Sequence, residues 1–338
     1  MQEQALMNDE KQVLLDVRDL DVEFHSDFGD RIVTDKVSYQ VGVGETLGIV
    51  GESGCGKSVT SLAVMGLLPR NGRVIGGEVL FDGRNLLALK ARELDRVRGK
   101  DICMIFQDAL ASLNPVFSVG NQITEAIRAH TEKDKKAAQK IAVEMLGRVG
   151  LPDPAGIMKK YSFELSGGQR QRVCIAMALA VNPRLLIADE ITTALDVTIQ
   201  SQIMRMIEAI RVDMGMSMVL ITHDIGLIAE MSDRVIVMYA GQIIEQADVF
   251  TLFAHPGHPY TQMLIDATPG ILDSPDKELH AIPGNVPENY SDIRGCRFAA
   301  RCPYYTKACD EPQMLTDLGD GHMVRCARNA GGVSGAQR

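Results

Sequence analysis

The sequence predicts an α/β protein built on a mainly parallel sheet, followed by a small, irregular C-terminal region. Three observations predict it. Short apolar strands alternate with helical segments from about residue 12 to 250, the pattern of strand–helix–strand crossovers. The stretch ETLGIVGESGCGKSVTSLAVMGLL runs as strand, glycine-rich loop and helix. Beyond about 250, proline becomes frequent and periodicity fades.

In chain order, VLLDVRDLDVEF (13–24) alternates in the manner of a strand pair. A strand is expected at about 46–50, with a helix starting near Lys57. EVLFDG (78–83) reads as a short strand and turn, and DICMIFQ (101–107) as an apolar strand with a polar end. From about 116 to 150 the spacing predicts helices on either side of a charged linker. In ELSGGQRQRVCIAMALA a glycine pair opens an apolar helix. PRLLIADE (183–190) is a buried strand ending in two carboxylates, followed by a helix at 197–212. MSMVLITHD is a strand ending in His-Asp, and RVIVMYAGQIIEQ (234–246) a hairpin across Ala-Gly. There is no internal repeat and no low-complexity segment.

Composition narrows the classes. The chain has 338 residues, 46% of them hydrophobic, enough for a buried core and two domains. A net charge of −9 disfavours nucleic acid as a partner. No apolar run reaches the roughly 18 residues that span a bilayer. The start MQEQALMNDEKQ lacks the apolar centre of a signal peptide, so a cytosolic location is expected, where disulfides are rare.

The chemistry begins at GESGCGKS. Gly51, Glu52, Ser53, Gly54, Cys55, Gly56, Lys57 and Ser58 match G-x-x-x-x-G-K-[ST], with Val59 continuing into the helix. Glycines let backbone N–H groups turn inward around a phosphate. Lys57 reaches the β- and γ-phosphates, the Ser58 hydroxyl ligates Mg²⁺, and the helix N-terminus favours the anion. Asp189 at the end of LLIADE is placed to hold the same Mg²⁺, and Glu190 to orient or deprotonate an attacking water.

LSGGQ (Leu165 to Gln169) makes the resemblance specific: the chain resembles the ATP-binding cassette (ABC) family at every characteristic motif. Gln107 in MIFQD matches the Q-loop glutamine, LSGGQRQR the signature helix, LLIADE the Walker B strand, Ala194 to Asp196 the D-loop, and His223 in LITHD the switch histidine. The resemblance implies a P-loop (RecA-like) nucleotide-binding domain over 12–250. It would carry an antiparallel β subdomain and a helical signature subdomain at about 108–180. It also implies head-to-tail pairs of cassettes, with ATP between one chain's phosphate loop and the other chain's signature. There Ser166, Gly167, Gly168 and Gln169 meet the γ-phosphate, which side chains at the two glycines would obstruct. Gln107, also a Mg²⁺ ligand, and His223 would sense that phosphate and position water. Adenine would stack on an aromatic residue, Phe28 by spacing or Phe24. One departure is Ile191, where relatives have proline; it predicts a looser Glu190 backbone or no consequence.

The C-terminal third, 251–338, is similar to the extension of the oligopeptide and dipeptide permease ATPases, through HPYT, IPGNVPENY and GCRFAARCPYYTKAC. That implies a "D-type" ATPase subunit on the cytoplasmic side of the cell membrane. Its partners would be an "F-type" ATPase in a heterodimer, two transmembrane permease subunits whose coupling helices meet the helical region, and, indirectly, an extracytoplasmic solute-binding protein. Nickel or another small solute is the alternative cargo. A soluble ABC ATPase acting on nucleic acid or ribosomes is the more distant one.

Cys296, Cys302, Cys309 and Cys326 crowd into this region. Their long, unequal spacing lacks the short knuckles of most structural zinc sites. The resemblance points to a [4Fe–4S] cluster in a structural role, with zinc or free thiols as alternatives. Arg294, Arg297, Arg301 and Arg325 lie near in sequence and would offset thiolate charge or form a solvated basic surface. Cys103 and Cys174 read as core residues, and Cys55 as reachable by thiol reagents when the nucleotide site is empty.

Overall fold

The computed structural model describes residues 12–27, 29–107, 112–191, 197–268 and 282–329. The chain opens with β1 (Val13–Ser26), β2 (Gly29–Gly42) and β3 (Thr46–Val50), then α1 (Lys57–Val64), β4 (Gly72–Phe81), β5 (Arg84–Asn85), α2 (Ala91–Val97) and β6 (Ile102–Ile105). A helical region follows: α3 (Val119–His130), α4 (Lys135–Arg148), α5 (Pro154–Ile157) and α6 (Gly167–Leu179). Then come β7 (Leu185–Asp189), α7 (Val197–Met214), β8 (Ser217–Thr222), α8 (Ile225–Met231), β9 (Arg234–Tyr239) and β10 (Gln242–Asp248). The end of the chain holds α9 (Val249–Ala254), α10 (Pro259–Asp266), β11 (Thr316–Asp317) and β12 (Met323–Val324).

Two sheets form. A 4-stranded antiparallel sheet runs β2-β1-β4-β5, and an 8-stranded sheet runs β11-β12-β10-β9-β3-β8-β7-β6. In the larger sheet β9, β3, β8, β7 and β6 are parallel. Burial on both faces explains why LLIAD and SMVLIT read as unbroken apolar runs. Parallel strands send all their carboxyl ends to one edge, where an α/β fold keeps its binding crevice.

The sequence places β3, β6, β7, β8 and the β9–β10 hairpin well. The hairpin turns at Ala240 and Gly241, both at positive φ (46° and 82°), as a tight turn between twisted strands requires. The expected strand pair at 13–24 is instead one strand, β1, whose partners β2 and β4 come from later in the chain. Bulges near Leu20 and Val22 shift its register and blur the alternation.

The C-terminal region lacks periodicity in sequence, yet its Tyr260, Tyr290 and Phe298 join the same core cluster as Val235 and Tyr239. β12 pairs with β10, so the larger sheet itself continues into this region. Glu245 of β10 is the keystone. Fully buried, its carboxylate accepts from the N–H groups of Gly257 (2.6 Å) and His258 (2.9 Å) and lies 2.7 Å from His322 Nε2. Among the described residues no helix is long and apolar enough to cross a membrane.

Candidate nucleotide site

Each candidate residue sits where a parallel strand ends. β3 gives way to the phosphate loop, β6 to Gln107, β7 to Asp189 and Glu190, and β8 to His223. The sheet therefore gathers motifs that lie far apart in the chain.

In the phosphate loop, Gly51 has φ 158°, and a Cβ there would collide with the Met238 carbonyl oxygen and meet Cys55 Sγ. Only glycine tolerates that approach. Gly56, at φ 100°, caps α1. Lys57 is buried, and its ammonium donates to the carbonyls of Gly51 (2.8 Å) and Glu52 (3.1 Å). Ser58 Oγ donates to Asp189 Oδ1 at 2.9 Å, so two oxygen donors stand side by side at the head of α1. Burial holds the Asp189 carboxyl above its ordinary range, against the pull of the Ser58 hydrogen bond. A cation between these oxygens would relieve that cost, so the residues fit Mg²⁺.

Glu190 accepts a hydrogen bond from Gln107 Nε2 at 2.7 Å, and His223 Nδ1 stands 3.8 Å from its other oxygen. The two candidate sensors, Gln107 and His223, thus meet at the Glu190 carboxylate. Glu190 itself adopts φ 48°, in the left-handed region that non-glycine residues seldom occupy. The looseness expected from Ile191 meets opposition on both sides. The Glu190 N–H donates to the Ile221 carbonyl at 2.9 Å, and Gln171 Nε2 donates to the Ile191 carbonyl at 2.6 Å. The Ile191 side chain is itself in the core.

At the signature, Ser166 caps α6 in a capping box with Gln169: the Gln169 N–H donates to Ser166 Oγ (3.3 Å), and Gln169 Oε1 accepts from the Ser166 N–H (3.1 Å). A Cβ at Gly167 or Gly168 would meet nothing within 4 Å. Nothing in the chain's own packing calls for glycine at these helical positions, where it costs about 1 kcal/mol against alanine.

Several expectations change. Cys55, expected to be reachable, is fully buried, its thiol tucked under the loop and its pKa pushed up by burial. Its Sγ packs beside Gly51 and lies 3.8 Å from Lys57 Nζ. Phe28, Ala194 and Asp196 lie outside the described residues. The Phe24 ring packs across Gly72 at about 3 Å from where a Cβ would stand. Cys103 and Cys174 are core residues as expected, their thiols pushed up to about 12 by burial.

The arginines of the extension mostly serve docking rather than thiolate charge. Arg297 donates to Asp35 and to the Ala240 carbonyl, both at 2.6 Å. Arg325 holds the carbonyls of Ile243 (2.9 Å) and Gln313 (2.8 Å). Arg301 holds Glu52 of the phosphate loop. Arg328, missed in the sequence, is the arginine whose charge bears on Cys302 and Cys326.

The four thiols gather without forming a ligand set. Burial first, then the nearby charge of Cys326, Cys309 and Cys302, pushes Cys296 up to about 11. Burial likewise raises Cys302 and Cys326. Among the described residues, no three His, Cys, Asp or Glu side chains stand ready to hold one metal ion. The donor chemistry suits a soft metal or cluster, but the thiols would have to lose protons and close up.

Comparison with known proteins agrees with this geometry. A family described as ABC transporter matches residues 34–193, and one described as oligopeptide/dipeptide transporter, C-terminal region, matches 244–309. The chain is 48% identical to a probable peptide ABC transporter ATP-binding protein of Sinorhizobium fredii, over 95% of this chain and 97% of that protein. It is 46% identical to the dipeptide transport ATP-binding protein DppD of Escherichia coli, over 93% and 96% respectively. Among solved structures it resembles the ATP-binding cassette MJ0796, a dimer in a post-hydrolysis state bound to ADP and phosphate. That match has a TM-score of 0.63 and 26% identity, covering 70% of this chain and 99% of the other.

Proposed function

The chain belongs to the ATP-binding cassette family, and from that premise we propose how its residues divide the work. It is an ATP-binding and ATP-hydrolysing subunit that powers import of dipeptides or oligopeptides. The observation that carries the mechanism is the meeting of Lys57, Ser58 and Asp189 with Glu190, Gln107 and His223 at one sheet edge.

The Lys57 ammonium leaves the carbonyls of Gly51 and Glu52 to bind the β- and γ-phosphates. Ser58, Asp189 and Gln107 would hold Mg²⁺, which supplies charge to offset the phosphates. Glu190 takes the proton of the attacking water, with Gln107 and His223 fixing the carboxylate and reading the γ-phosphate. Ser166, Gly167, Gly168 and Gln169 face the nucleotide of a second cassette. The open space beside the two glycines supports this, since their smallness answers to nothing within the chain.

The partners follow from the same reading. The second cassette is an F-type subunit in a heterodimer. Two transmembrane permease subunits, served by an extracytoplasmic binding protein, hold the pair at the cytoplasmic face of the membrane. Val116, Phe117 and Phe163 are 74%, 51% and 71% exposed on the helical region, and an apolar cavity of about 370 Å³ is lined by Met65, Phe106, Ala126 and Met177. These surfaces suit the coupling helices of the permeases. The test is peptide uptake by vesicles holding the assembled transporter: ATP should drive it, and Lys57→Ala should abolish both uptake and ATP binding. Unaltered ATP affinity in Lys57→Ala would sink the phosphate-loop assignment.

For Cys296, Cys302, Cys309 and Cys326 we propose a structural [4Fe–4S] cluster, with zinc as the alternative. The gathering of four thiols in one segment supports it. Anaerobic purification should give about four iron and four sulfide per chain, lost in Cys302→Ser. One zinc without colour selects the alternative, and no metal removes both.

A further inference from the structure

Glu52 is held from three sides. Its N–H donates to Tyr260 Oη at 2.9 Å. Arg301 Nη1 donates to both its carboxylate oxygens, at 3.0 and 3.1 Å. Its carbonyl accepts from Lys57 Nζ at 3.1 Å. Two of these holds come from the C-terminal extension, and the third is the phosphate-binding lysine itself.

The extension's two residues are fixed in turn. Tyr260 is fully buried, its ring 4.8 Å from Tyr239 and 5.4 Å from Phe298. The Arg301 side chain is only 7% exposed. Its guanidinium lies 5.7 Å from the ring centres of both Tyr239 and Phe298. It also donates to Tyr239 Oη (3.1 Å) and to the carbonyls of Pro283 (2.7 Å) and Gly284 (3.1 Å). An arginine with so little freedom transmits position as well as charge.

The place of Glu52 gives the grip its meaning. It follows Gly51, where β3 passes into the loop, and the carbonyls of these two residues are where the Lys57 ammonium rests. Any shift of Glu52 moves the start of the loop and the resting place of Lys57 together. Pre-setting a loop in its binding conformation raises affinity by lowering the ordering cost of binding.

We propose that Tyr260 and Arg301 are positioning residues for ATP: through Glu52 they hold the phosphate loop and Lys57 ready for the phosphates. The inference rests on ATP binding at that loop and adds two residues that none of the cassette motifs includes.

The test compares Tyr260→Phe, Arg301→Gln and Arg301→Lys in the full-length chain by titration with Mg²⁺-ATP, with Lys57→Ala as control. Tyr260→Phe removes only the hydroxyl, leaving the buried ring. Tyr260→Phe leaves the Glu52 N–H without its acceptor and Arg301→Gln removes a charged donor from the Glu52 carboxylate; each should weaken ATP binding about tenfold, with partial recovery in Arg301→Lys. In the assembled transporter KM for ATP should rise while kcat stays within about twofold, because the water-activating residues are untouched. ATP affinity equal to wild type in both variants overturns the proposal, as does a lower melting temperature with unchanged affinity, which is docking alone. If the extension variants fail to fold, Glu52→Gln tests the grip from the loop side: its weakened ATP binding supports the proposal and wild-type affinity overturns it. Where all fold, the losses in Glu52→Gln and Arg301→Gln should not add in the double variant, and full additivity overturns the coupling. Loss of binding in Lys57→Ala alone removes this proposal but keeps the ATP site. Retention of binding in Lys57→Ala removes the ATP site itself.

Discussion

Gln107 Nε2 donates to Glu190 Oε2 at 2.7 Å, tying the end of β6 to the end of β7 across the carboxylate proposed as the base. Glu190→Gln keeps the phosphate contacts and removes the acceptor of the water proton. Steady ATP hydrolysis should fall by about a hundredfold or more, while ATP still binds and the cassette pair persists in its closed form. Phosphate release and size-exclusion chromatography read the two effects. Wild-type turnover would end the assignment of Glu190 as base.

The same contact predicts a loss of turnover. Gln107→Glu replaces the amide donor with a like charge facing Glu190, so ATP hydrolysis should fall by about tenfold or more. Wild-type turnover would mean that Gln107 does not bear on Glu190 during hydrolysis.

Ile191→Pro probes the one departure from the motif. With the Glu190 N–H on Ile221 and the Ile191 carbonyl on Gln171, the turn is already pinned. Turnover should stay within about twofold, since proline adds rigidity only where freedom exists. A large gain would revive the idea of a loose Glu190.

Glu245 governs docking of the extension. Glu245→Ala orphans the N–H groups of Gly257 and His258 and the ring of His322. The cost should be about 1–3 kcal/mol for each buried group left unpaired, read by denaturant unfolding and by protease cleavage after residue 250. Stability and cleavage pattern like wild type would contradict the keystone role.

His258 supplies the pH dependence of that docking. Burial lowers its pKa from 6.5 to about 4. The folded state therefore binds fewer protons than the unfolded chain between those values, so stability is complete above about 6.5 and declines as pH falls toward 4. His258→Asn can still accept the Tyr260 N–H without titrating, and should flatten that decline in thermal unfolding. An equal decline in the variant assigns it to other groups.

Much of the nucleotide site was legible because its parts are local strings. A strand, a glycine turn and a helix start within a few residues announce Lys57 and Ser58, and an apolar run ending in Asp189 and Glu190 announces the metal end. Parallel strands then bring these strings together with little further information. The extension was less legible because its contacts are long-range. HPYT showed as a motif, but nothing in it says that Tyr260 reaches the Glu52 N–H. Arg301 stands beside Cys302 in sequence and was read with the thiols, whereas its partner is 249 residues away. Glu245 sits in an ordinary hairpin strand, and only the returning segment from Gly257 to His322 makes it a keystone. Cys55 looked reachable because a loop usually is, but its carbonyl accepts from the Gly241 N–H (3.0 Å) and its thiol packs beside Gly51, contacts that the local string does not announce.

The distance between Glu52 and Arg301 bears on synthesis as well as structure. A ribosome finishes every cassette motif long before it reaches residue 301. A chain truncated at about 250 would display the full set of motifs to any sequence search, yet leave the phosphate loop without its outer brace and β10 with an open edge. Loss of the segment beyond about 250 would thus remove the Tyr260 and Arg301 contacts to Glu52 and the β12 partner of β10 while leaving every cassette motif in place.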